Sequence, residues 1–566
     1  MKERKQNHVL LNALRLVYRC DAKGFVLKIV YTAVGSLLPL ANLYILAQIV
    51  DSVQATLQNN SEVVVLSIPV AVSLFAAIFF LGRLVGILSI VNSDKLTQRL
   101  IDYISDQIQS HSVSLDMAYY DNPDYHDTFH RAQQEANYRP IRILDDFTNF
   151  VGSAISIVGV VTMLATASWL TLVVMIVAII PTFIVRLVKS RRVFSFRRES
   201  TQLTRRTHYL AALLTNSAYA KETRAFGLGP FFRQQFVAIR RELVDKLLSI
   251  SRRIAVSDAL SAILETAALL LIVVFLCRET VAGAITVGSF VMLFEAFRRG
   301  QQSLQTMASA VAGLYDSKLF IGNLFEFMEL RPSIASPDQP VAFPQQVDSV
   351  VFDDITFSYP AVQSAEQSAD PDYQAGKAQR PVLQHFSLRC VKGEVTCLQG
   401  ENGFGKTTLL KPLLRLYDPD DGRILINGID IRQFDLEELR RNVSAIFQDH
   451  VRFYFTARQN IEFGDIHHLG DEQRLQRAAE LSEAMPVIER LSKGMDTPLG
   501  RQFYQGEELS MGQWQRVALA RQLYSQAPVL VFDEPTAWMD CHAREQFLQN
   551  LDVIKRDKVV ILITHS

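Results

Sequence analysis

The sequence lacks a surplus of charge of either sign. Its 566 residues include 58 Lys and Arg against 58 Asp and Glu, whereas nucleic-acid-binding proteins usually carry a basic excess. We therefore expect no nucleic-acid partner. The first 24 residues, MKERKQNHVLLNALRLVYRCDAKG, contain no apolar run followed by a small-residue cleavage site. The sequence thus also lacks the pattern of a cleaved signal peptide.

Cysteine is scarce and has no paired spacing. The five residues are Cys20, Cys277, Cys390, Cys397 and Cys541, an odd number with no CxxC pair. This pattern predicts free thiols in a reducing environment rather than a disulfide framework.

Apolar residues make up 49% of the chain, and they are concentrated in six stretches before residue 331. Each stretch has about 20 residues, enough to cross the hydrocarbon core of a bilayer. Buried helices of a soluble protein could also be apolar, but six of them favour an all-α membrane domain over residues 1–330. The stretches lie near Phe25–Val50, Val63–Val91, Ile143–Ser168, Leu170–Val188, Val256–Cys277 and Val287–Val311.

The loops between the stretches differ in charge. Residues 51–62 and 165–169 contain no Lys or Arg, whereas residues 92–142, residues 190–254 and the N-terminus are rich in both. The positive-inside rule places the basic segments and both termini in the cytoplasm. Within the first long loop an apolar residue recurs at every fourth position, which predicts that the membrane helices continue into the cytoplasm. These residues are Leu96, Leu100, Ile104 and Ile108.

Several charged residues interrupt the apolar stretches. Charges inside a membrane are costly and often functional, and we expect Glu265 and Glu295 to face a polar cavity; Arg83 also qualifies. The alternative is pairing within the membrane, in which Glu295 meets Arg298 or Arg299 at helical spacing.

Beyond residue 330 the composition changes. Residues 331–350 are rich in Pro, Ser and Gln and predict a linker. Short β-rich runs and helices follow, which predict an α/β domain over residues 351–566. The polar segment Ala361–Arg380 is expected to be a disordered surface excursion.

Two strings in this domain carry nucleotide chemistry. Residues 400–407, GENGFGKT, fit GxxxxGK[ST] between a strand-like and a helix-like run. Backbone N–H groups there would surround phosphate oxygens, Lys406 would reach the β- and γ-phosphates, and Thr407 would bind Mg²⁺. The expected phosphate contacts are Gly400, Glu401, Asn402, Gly403, Gly405, Lys406, Thr407 and Thr408.

The second string is VLVFDEPT, residues 529–536. It predicts a buried strand ending in two acids, of which Asp533 would hold Mg²⁺ and Glu534 would act as general base toward the attacking water. A plain acidic turn at the end of a strand is the alternative.

Taken together and in order, the strings GENGFGKTT, IFQDH, ELSMGQWQR, VLVFDEPT and ITHS resemble the nucleotide-binding domain of an ABC transporter, from Val351 to the last residue. The resemblance implies that Tyr359 stacks on adenine, that Gln448 senses Mg²⁺ and the membrane domain, and that His565 contacts the γ-phosphate. ELSMGQ resembles the family signature LSGGQ. Its Ser510, Gly512 and Gln513 would contact ATP held by the opposite subunit.

Three departures from the family pattern bear on turnover. Met511 replaces the first glycine of the signature; it would be strained if that position needs a positive φ, and harmless if only its N–H is used. Trp538 stands in a segment that normally reads SALD, of which Asp540 is retained. The family usually continues for tens of residues after the switch histidine, so the domain is expected to be truncated at its C-terminus.

Six spans and one such domain resemble an exporter-type half-transporter, which implies ATP and Mg²⁺ as cofactors and a dimer. A homodimer is the default, and a heterodimer stays open. The strings YYDNPDYHDTFHRAQQEANYRP and ELRRNVSAIFQDHVRFYFTARQNIEFG resemble bacterial lantibiotic exporters. The implied activity is export of an amphiphilic, modified peptide across the bacterial inner membrane, where the chain contacts lipid. No N-terminal peptidase domain is expected.

Other functions fit the same sequence features. The chain could be a lipid flippase, a multidrug exporter or a weakly hydrolytic subunit of a heterodimer. A soluble ABC ATPase acting on nucleic acid or ribosomes is opposed by the six spans and the neutral charge. Residues 118–127 and 219–228 are expected to pass force between the two halves of the transporter, with plain loops as the alternative.

Overall fold

The computed structural model of the chain describes residues 9–57, 67–121, 139–165, 200–359, 381–400, 406–502 and 504–564, together with residues 129 and 196. It divides into two compact units. The first comprises Met1–Val113 and Thr128–Glu329, and the second comprises Ser114–Asp127 and Leu330–Ser566. The fourth predicted apolar stretch and the Ala361–Arg380 segment lie outside the described residues.

The first unit is helical over its described residues, and one short helix of the N-terminal half belongs to the second unit, namely α4. In chain order the helices are α1 (Val9–Cys20), α2 (Ala22–Leu57), α3 (Ile68–Ser114), α4 (Met117–Tyr120), α5 (Arg139–Ala165), α6 (Thr201–Thr215), α7 (Ser217–Ala225), α8 (Gly229–Val281) and α9 (Val287–Glu329).

Among the described residues, four helices are long and apolar enough to cross a membrane: α2, α3, residues Pro140–Ala165 of α5, and α8. They contain the first and fifth predicted stretches whole, and residues 68–91 and 143–165 of the second and third. The sixth stretch forms the start of α9, where Glu295, Arg298 and Arg299 interrupt the apolar sequence. Helices α3 and α8 have 47 and 53 residues, or about 70 and 80 Å at 1.5 Å per residue. Both therefore extend well beyond a span, as predicted.

Packing within the first unit follows the sequence pattern. The four-residue stripe of α3, Leu96 to Ile108, is buried at every position. Glu295 accepts from Arg298 at 2.9 Å, so the pairing alternative is realised for this acid. Glu265 accepts a hydrogen bond from Gln305 of α9 at 3.2 Å.

The second unit contains two four-stranded sheets. One is antiparallel in the order β2-β1-β4-β5, and the other is parallel in the order β3-β8-β7-β6. The strands are β1 (Ser349–Phe357), β2 (Leu383–Val391), β3 (Val395–Gln399), β4 (Asp421–Ile426), β5 (Ile429–Asp430), β6 (Val443–Ile446), β7 (Val529–Asp533) and β8 (Val559–Thr564). This is the predicted α/β architecture.

Helices cover the parallel sheet. They are α10 (Lys406–Leu413), α11 (Leu436–Asn442), α12 (Ala457–Glu462), α13 (Glu472–Leu481), α14 (Met485–Ile488), α15 (Met511–Tyr524) and α16 (Cys541–Ile554), with 3₁₀ turns at Ile431–Gln433, Ile466–His468, Gly494–Asp496 and Lys555–Asp557.

Strand β7 separates two hydrophobic cores. Leu530 and Phe532 belong to the core formed with α15 and α16, whereas Val529 and Val531 belong to the core formed with β1 and α10. This alternation follows from the two-residue period of a strand. All five residues of β7 are buried, as expected for the centre of a parallel sheet.

The predicted linker is partly packed. Phe343 and Val347 are buried in the second of these cores, and β1 begins at Ser349, inside the expected linker. The polar composition of this segment hides two apolar residues that pack in the core. All five cysteines are free, as predicted.

Candidate nucleotide site

The candidate site lies where the parallel strands end. Strands β3, β6, β7 and β8 run in the same direction, so their carboxyl ends meet at one edge of the sheet, where ligands bind in open α/β sheets. Gly400 follows β3, Gln448 follows β6, and Asp533 ends β7. Residues 401–405 of the phosphate-binding string lie outside the described residues, and so does His565. The predicted contacts Glu401, Asn402, Gly403 and Gly405 are among them.

Helix α10 begins at Lys406, within the last two residues of the phosphate-binding string. The Lys406 ammonium contacts the carbonyl oxygen of Gly400. Thr407 and Thr408 form the first turn, so their N–H groups point along the helix axis toward its start. A helix N-terminus with free N–H groups favours phosphate, and the strand-then-helix context agrees with the sequence prediction.

Gln448 and Glu534 meet at the edge of the sheet. The Gln448 Nε2 donates to Glu534 Oε2 at 3.0 Å, although the two residues are 86 positions apart. The Glu534 N–H donates to the carbonyl of Ile563 in β8 at 3.0 Å. Glu534 has φ of 49°, a left-handed conformation that costs a non-glycine residue free energy and often marks a functional turn. Glu534 is thus held by hydrogen bonds at both its backbone N–H and its side-chain carboxylate.

Asp533 is the acid that the sequence predicts to hold Mg²⁺. It is 2% exposed at the end of β7. Among the described residues, no group of three or more His, Cys, Asp or Glu side chains could hold a metal ion alone. Mg²⁺ is usually held by one or two carboxylates together with water and substrate phosphates. The oxygen donors of Asp533 and Thr407 therefore fit Mg²⁺ that arrives with a nucleotide.

The signature string forms the start of α15. Ser510 is the N-cap, and its hydroxyl accepts from the Gln513 N–H at 3.3 Å while the Gln513 side chain accepts from the Ser510 N–H at 2.8 Å. This capping box satisfies two N–H groups of the first turn. Met511 is the first helical residue, so the strained-backbone alternative does not apply to it.

The position of Gly512 has no room for a side chain. A Cβ at this position would lie 2.1 Å from the carbonyl oxygen of Trp538. The backbone of the segment after Asp533–Glu534 therefore lies directly on the first turn of α15, while the Trp538 side chain is 54% exposed. Asp540 caps α16 through the Ala543 N–H at 2.9 Å, and this bond lowers the pKa of its carboxyl group.

Sequence reasoning missed Gln515. It is 2% exposed, donates to the Glu534 carbonyl at 2.8 Å and accepts from the Trp538 N–H at 3.1 Å. It joins the signature helix to the turn that carries Glu534. Its polar neighbours Gln513 and Arg516 gave no sign in the sequence that Gln515 is buried.

Arg521 fixes the segment after Gln448. Its guanidinium donates to the Asn460 carbonyl at 2.8 Å and to the Asn460 side chain at 2.9 Å, and lies 4.5 Å over the Phe453 ring. Burial lowers the pKa of Arg521 to about 10. His450, close by, has its pKa lowered mainly by burial and next by the charge of Arg521, so it is neutral at neutral pH.

Tyr359 lies two residues after β1, a strand of the antiparallel sheet. Its hydroxyl lies 3.3 Å from the Thr408 hydroxyl of α10. The Lys411 ammonium lies 4.6 Å from the centre of its ring, and the Tyr417 ring packs on it edge to face at 5.8 Å. The ring that is expected to meet adenine is therefore connected to the helix that is expected to bind phosphate.

Residues 383–537 match the ABC transporter family. Over 97% of this chain and 86% of the relative, the sequence is 25% identical to the subtilin transport ATP-binding protein SpaT of Bacillus subtilis. It is 24% identical to the nisin transport ATP-binding protein NisT of Lactococcus lactis subsp. lactis, over 98% of this chain and 89% of that relative. An ATP-dependent lipid A-core flippase of Vibrio vulnificus is 25% identical to this chain, over 81% of this chain and 74% of the flippase.

A solved structure has the same fold. It is a bacterial Atm1-family ABC exporter with ATP bound, with a TM-score of 0.74, 20% identity, and coverage of 97% of this chain and 91% of that one. The chain therefore carries an ABC transporter ATP-binding domain and has the fold of an ABC exporter. This class couples ATP hydrolysis to transport and generally works as dimers. The chain is accordingly embedded in a membrane, with its ATP-binding domain in the cytoplasm.

Proposed function

We propose that the chain exports an amphiphilic peptide, modified after synthesis, by ATP-driven alternating access. The observation that carries this proposal is the likeness to SpaT and NisT, which extends over nearly the whole chain, membrane half included. A likeness confined to the ATP-binding domain would carry no information on the transported molecule, because the substrate of an exporter is bound in its membrane half.

The proposed organisation has a membrane domain over residues 1–330, a linker over 331–350 and an ATP-binding domain over 351–566. We place the chain in the inner membrane of a bacterium. The extensions of α3 and α8 beyond a span support long cytoplasmic helices, and the basic loops support their orientation.

The proposed chemistry assigns a role to each predicted site residue. Tyr359 stacks on adenine, and Lys406 with the N–H groups of residues 400–408 binds the β- and γ-phosphates. Thr407, Gln448 and Asp533 hold Mg²⁺, which neutralises phosphate charge when bound. Glu534 takes a proton from the attacking water, and the Gln448 hydrogen bond aims its carboxylate. His565 contacts the γ-phosphate.

The proposed assembly is a homodimer in which the signature residues Ser510, Gly512 and Gln513 of one copy contact ATP held by the other. The helical backbone and 40% exposure of Met511 favour a signature that presents N–H groups normally. A heterodimer with a second, related chain is the competing assembly, favoured by the exposed Trp538 beside the signature helix.

Transport in inside-out membrane vesicles tests this function. Vesicles that contain the chain should accumulate a lantibiotic-type peptide when ATP is supplied, and vesicles with Glu534→Gln should not. Lipid translocation without peptide uptake would favour a flippase, a function supported by the relative from Vibrio vulnificus. Hydrolysis only after addition of a second, different chain would establish the heterodimer.

A further inference from the structure

The surroundings of Tyr359 contain a side-chain cluster that the proposed mechanism does not use. The Lys411 ammonium lies over two aromatic rings, 4.6 Å from the centre of Tyr359 and 5.6 Å from that of Tyr417. Phe357 packs edge to face against both rings, at 5.2 and 5.7 Å. Cations over tyrosine faces are attracted by the ring quadrupole, so Lys411 holds the two rings together.

Asp121 closes this cluster from a distant part of the sequence. The Tyr417 hydroxyl, 296 positions away, donates to Asp121 Oδ2. The Lys411 ammonium lies 3.9 Å from the same oxygen. Burial raises the pKa of Tyr417, and the bond to Asp121 raises it further, so the hydroxyl remains a donor throughout the physiological range.

Asp121 belongs to the short segment that carries α4 and packs with the ATP-binding domain in the second unit. A separate contact holds the start of this segment. Asp116 accepts from the Ser333 N–H at 2.5 Å and from the Ser333 hydroxyl at 2.7 Å. The Tyr119 hydroxyl adds a third contact, since it donates to the Arg331 carbonyl at 3.0 Å. Among these three contacts, that of Asp121 reaches the residues around Tyr359.

We propose that Asp121, Lys411 and Tyr417 are positioning residues that orient Tyr359 for the nucleobase, so that docking of residues 114–121 and affinity for adenine are linked. The inference rests on the proposed function, in which Tyr359 stacks on adenine. When Asn replaces Asp121, Lys411 loses its counter-ion, and the partly buried Tyr417 hydroxyl keeps only a neutral amide oxygen, a weaker acceptor than a carboxylate. Both groups then reorient beside the Tyr359 ring.

Nucleotide binding to the purified full-length chain tests the proposal. ATP and inorganic tripolyphosphate, which has no base, compete separately with a fluorescent ATP analogue. Asp121→Asn and Tyr417→Phe should each weaken ATP binding three- to tenfold and leave tripolyphosphate binding unchanged. Tyr359→Ala should weaken ATP binding at least as much, and adding Asp121→Asn to it should have no further effect, because the two act as one unit. Asp121→Glu should restore part of the affinity.

Asp116→Asn is the matched control, since it loosens the same segment without touching the cluster. It should leave ATP affinity unchanged. Equal losses for ATP and tripolyphosphate, additive effects of Asp121→Asn and Tyr359→Ala, or an equal loss with Asp116→Asn would each overturn the proposal. Absence of peptide transport by a chain that shows the expected binding pattern would refute the proposed function and leave this inference standing.

Discussion

Gly512 and Met511 are neighbours at the start of α15, and their tolerance of a side chain differs. Met511 is 40% exposed, whereas a Cβ at Gly512 would lie 2.1 Å from the Trp538 carbonyl oxygen. Gly512→Ala should therefore lower the thermal unfolding temperature of the full chain by several degrees. Met511→Gly should change the free energy of unfolding by less than about 1 kcal/mol, the scale of helix propensity. Equal effects of the two substitutions would contradict this account.

Lys558 is a partly buried cation, and its titration should appear in the stability of the chain. Burial lowers its pKa from 10.5 to about 8, and its ammonium donates to the Ala527 carbonyl at 2.6 Å. Between pH 8 and 10.5 the unfolded chain keeps a proton that the folded chain has lost, so this residue makes stability rise with pH in that window. Unfolding temperatures measured from pH 7 to 10 should rise more for the wild type than for Lys558→Met. Parallel profiles would show that Lys558 titrates normally.

The individual site residues differ in how far the sequence reveals them. Lys406, Gln448, Asp533 and Glu534 stand in strings whose spacing reflects backbone geometry at strand ends, so their positions follow from local sequence. Tyr417 lies in no such string, and Gln515 lies in ELSMGQWQR at a position to which that string assigns no role. Their partners, the Glu534 carbonyl and the Asp121 carboxylate, are brought to them by tertiary packing, which periodicity does not encode.

At the level of secondary structure, α12 and α15 are joined through Arg521. Its guanidinium makes three hydrogen bonds, to the Asn460 carbonyl and side chain and to the Val451 carbonyl. Lysine keeps the charge but lacks the planar fork. Arg521→Lys should therefore cost about 1–3 kcal/mol of stability, because buried acceptors lose their donor.

Amide hydrogen exchange would locate that loss. Arg521→Lys should speed exchange in residues 451–463 relative to β7, while the control Arg556→Lys, at an exposed position, should match the wild type. Unchanged exchange in that segment would mean that α12 is held by its apolar contacts alone.

The elements themselves were predicted unevenly. The sequence pattern predicted the stripe of α3, because that helix buries one face. It also predicted β7, because a strand buried on both faces is a continuous apolar run. The start of β1 did not, because the buried anchors Phe343 and Val347 stand among Pro, Ser and Gln residues. A polar composition signals a linker even where two side chains fix it to a core.

For the molecule as a whole, the central claim is that the chain is an ATP-driven transporter whose hydrolysis depends on Glu534. The most direct test is ATP hydrolysis by the purified chain in lipid, with and without a lantibiotic-type peptide, compared with Glu534→Gln. Loss of a general base commonly costs about 10²–10⁴-fold in rate. We predict peptide-stimulated hydrolysis by the wild type, and a decrease of at least 100-fold in Glu534→Gln with ATP binding retained. Equal hydrolysis by the two proteins, or none by the wild type alone, would contradict an active homodimer.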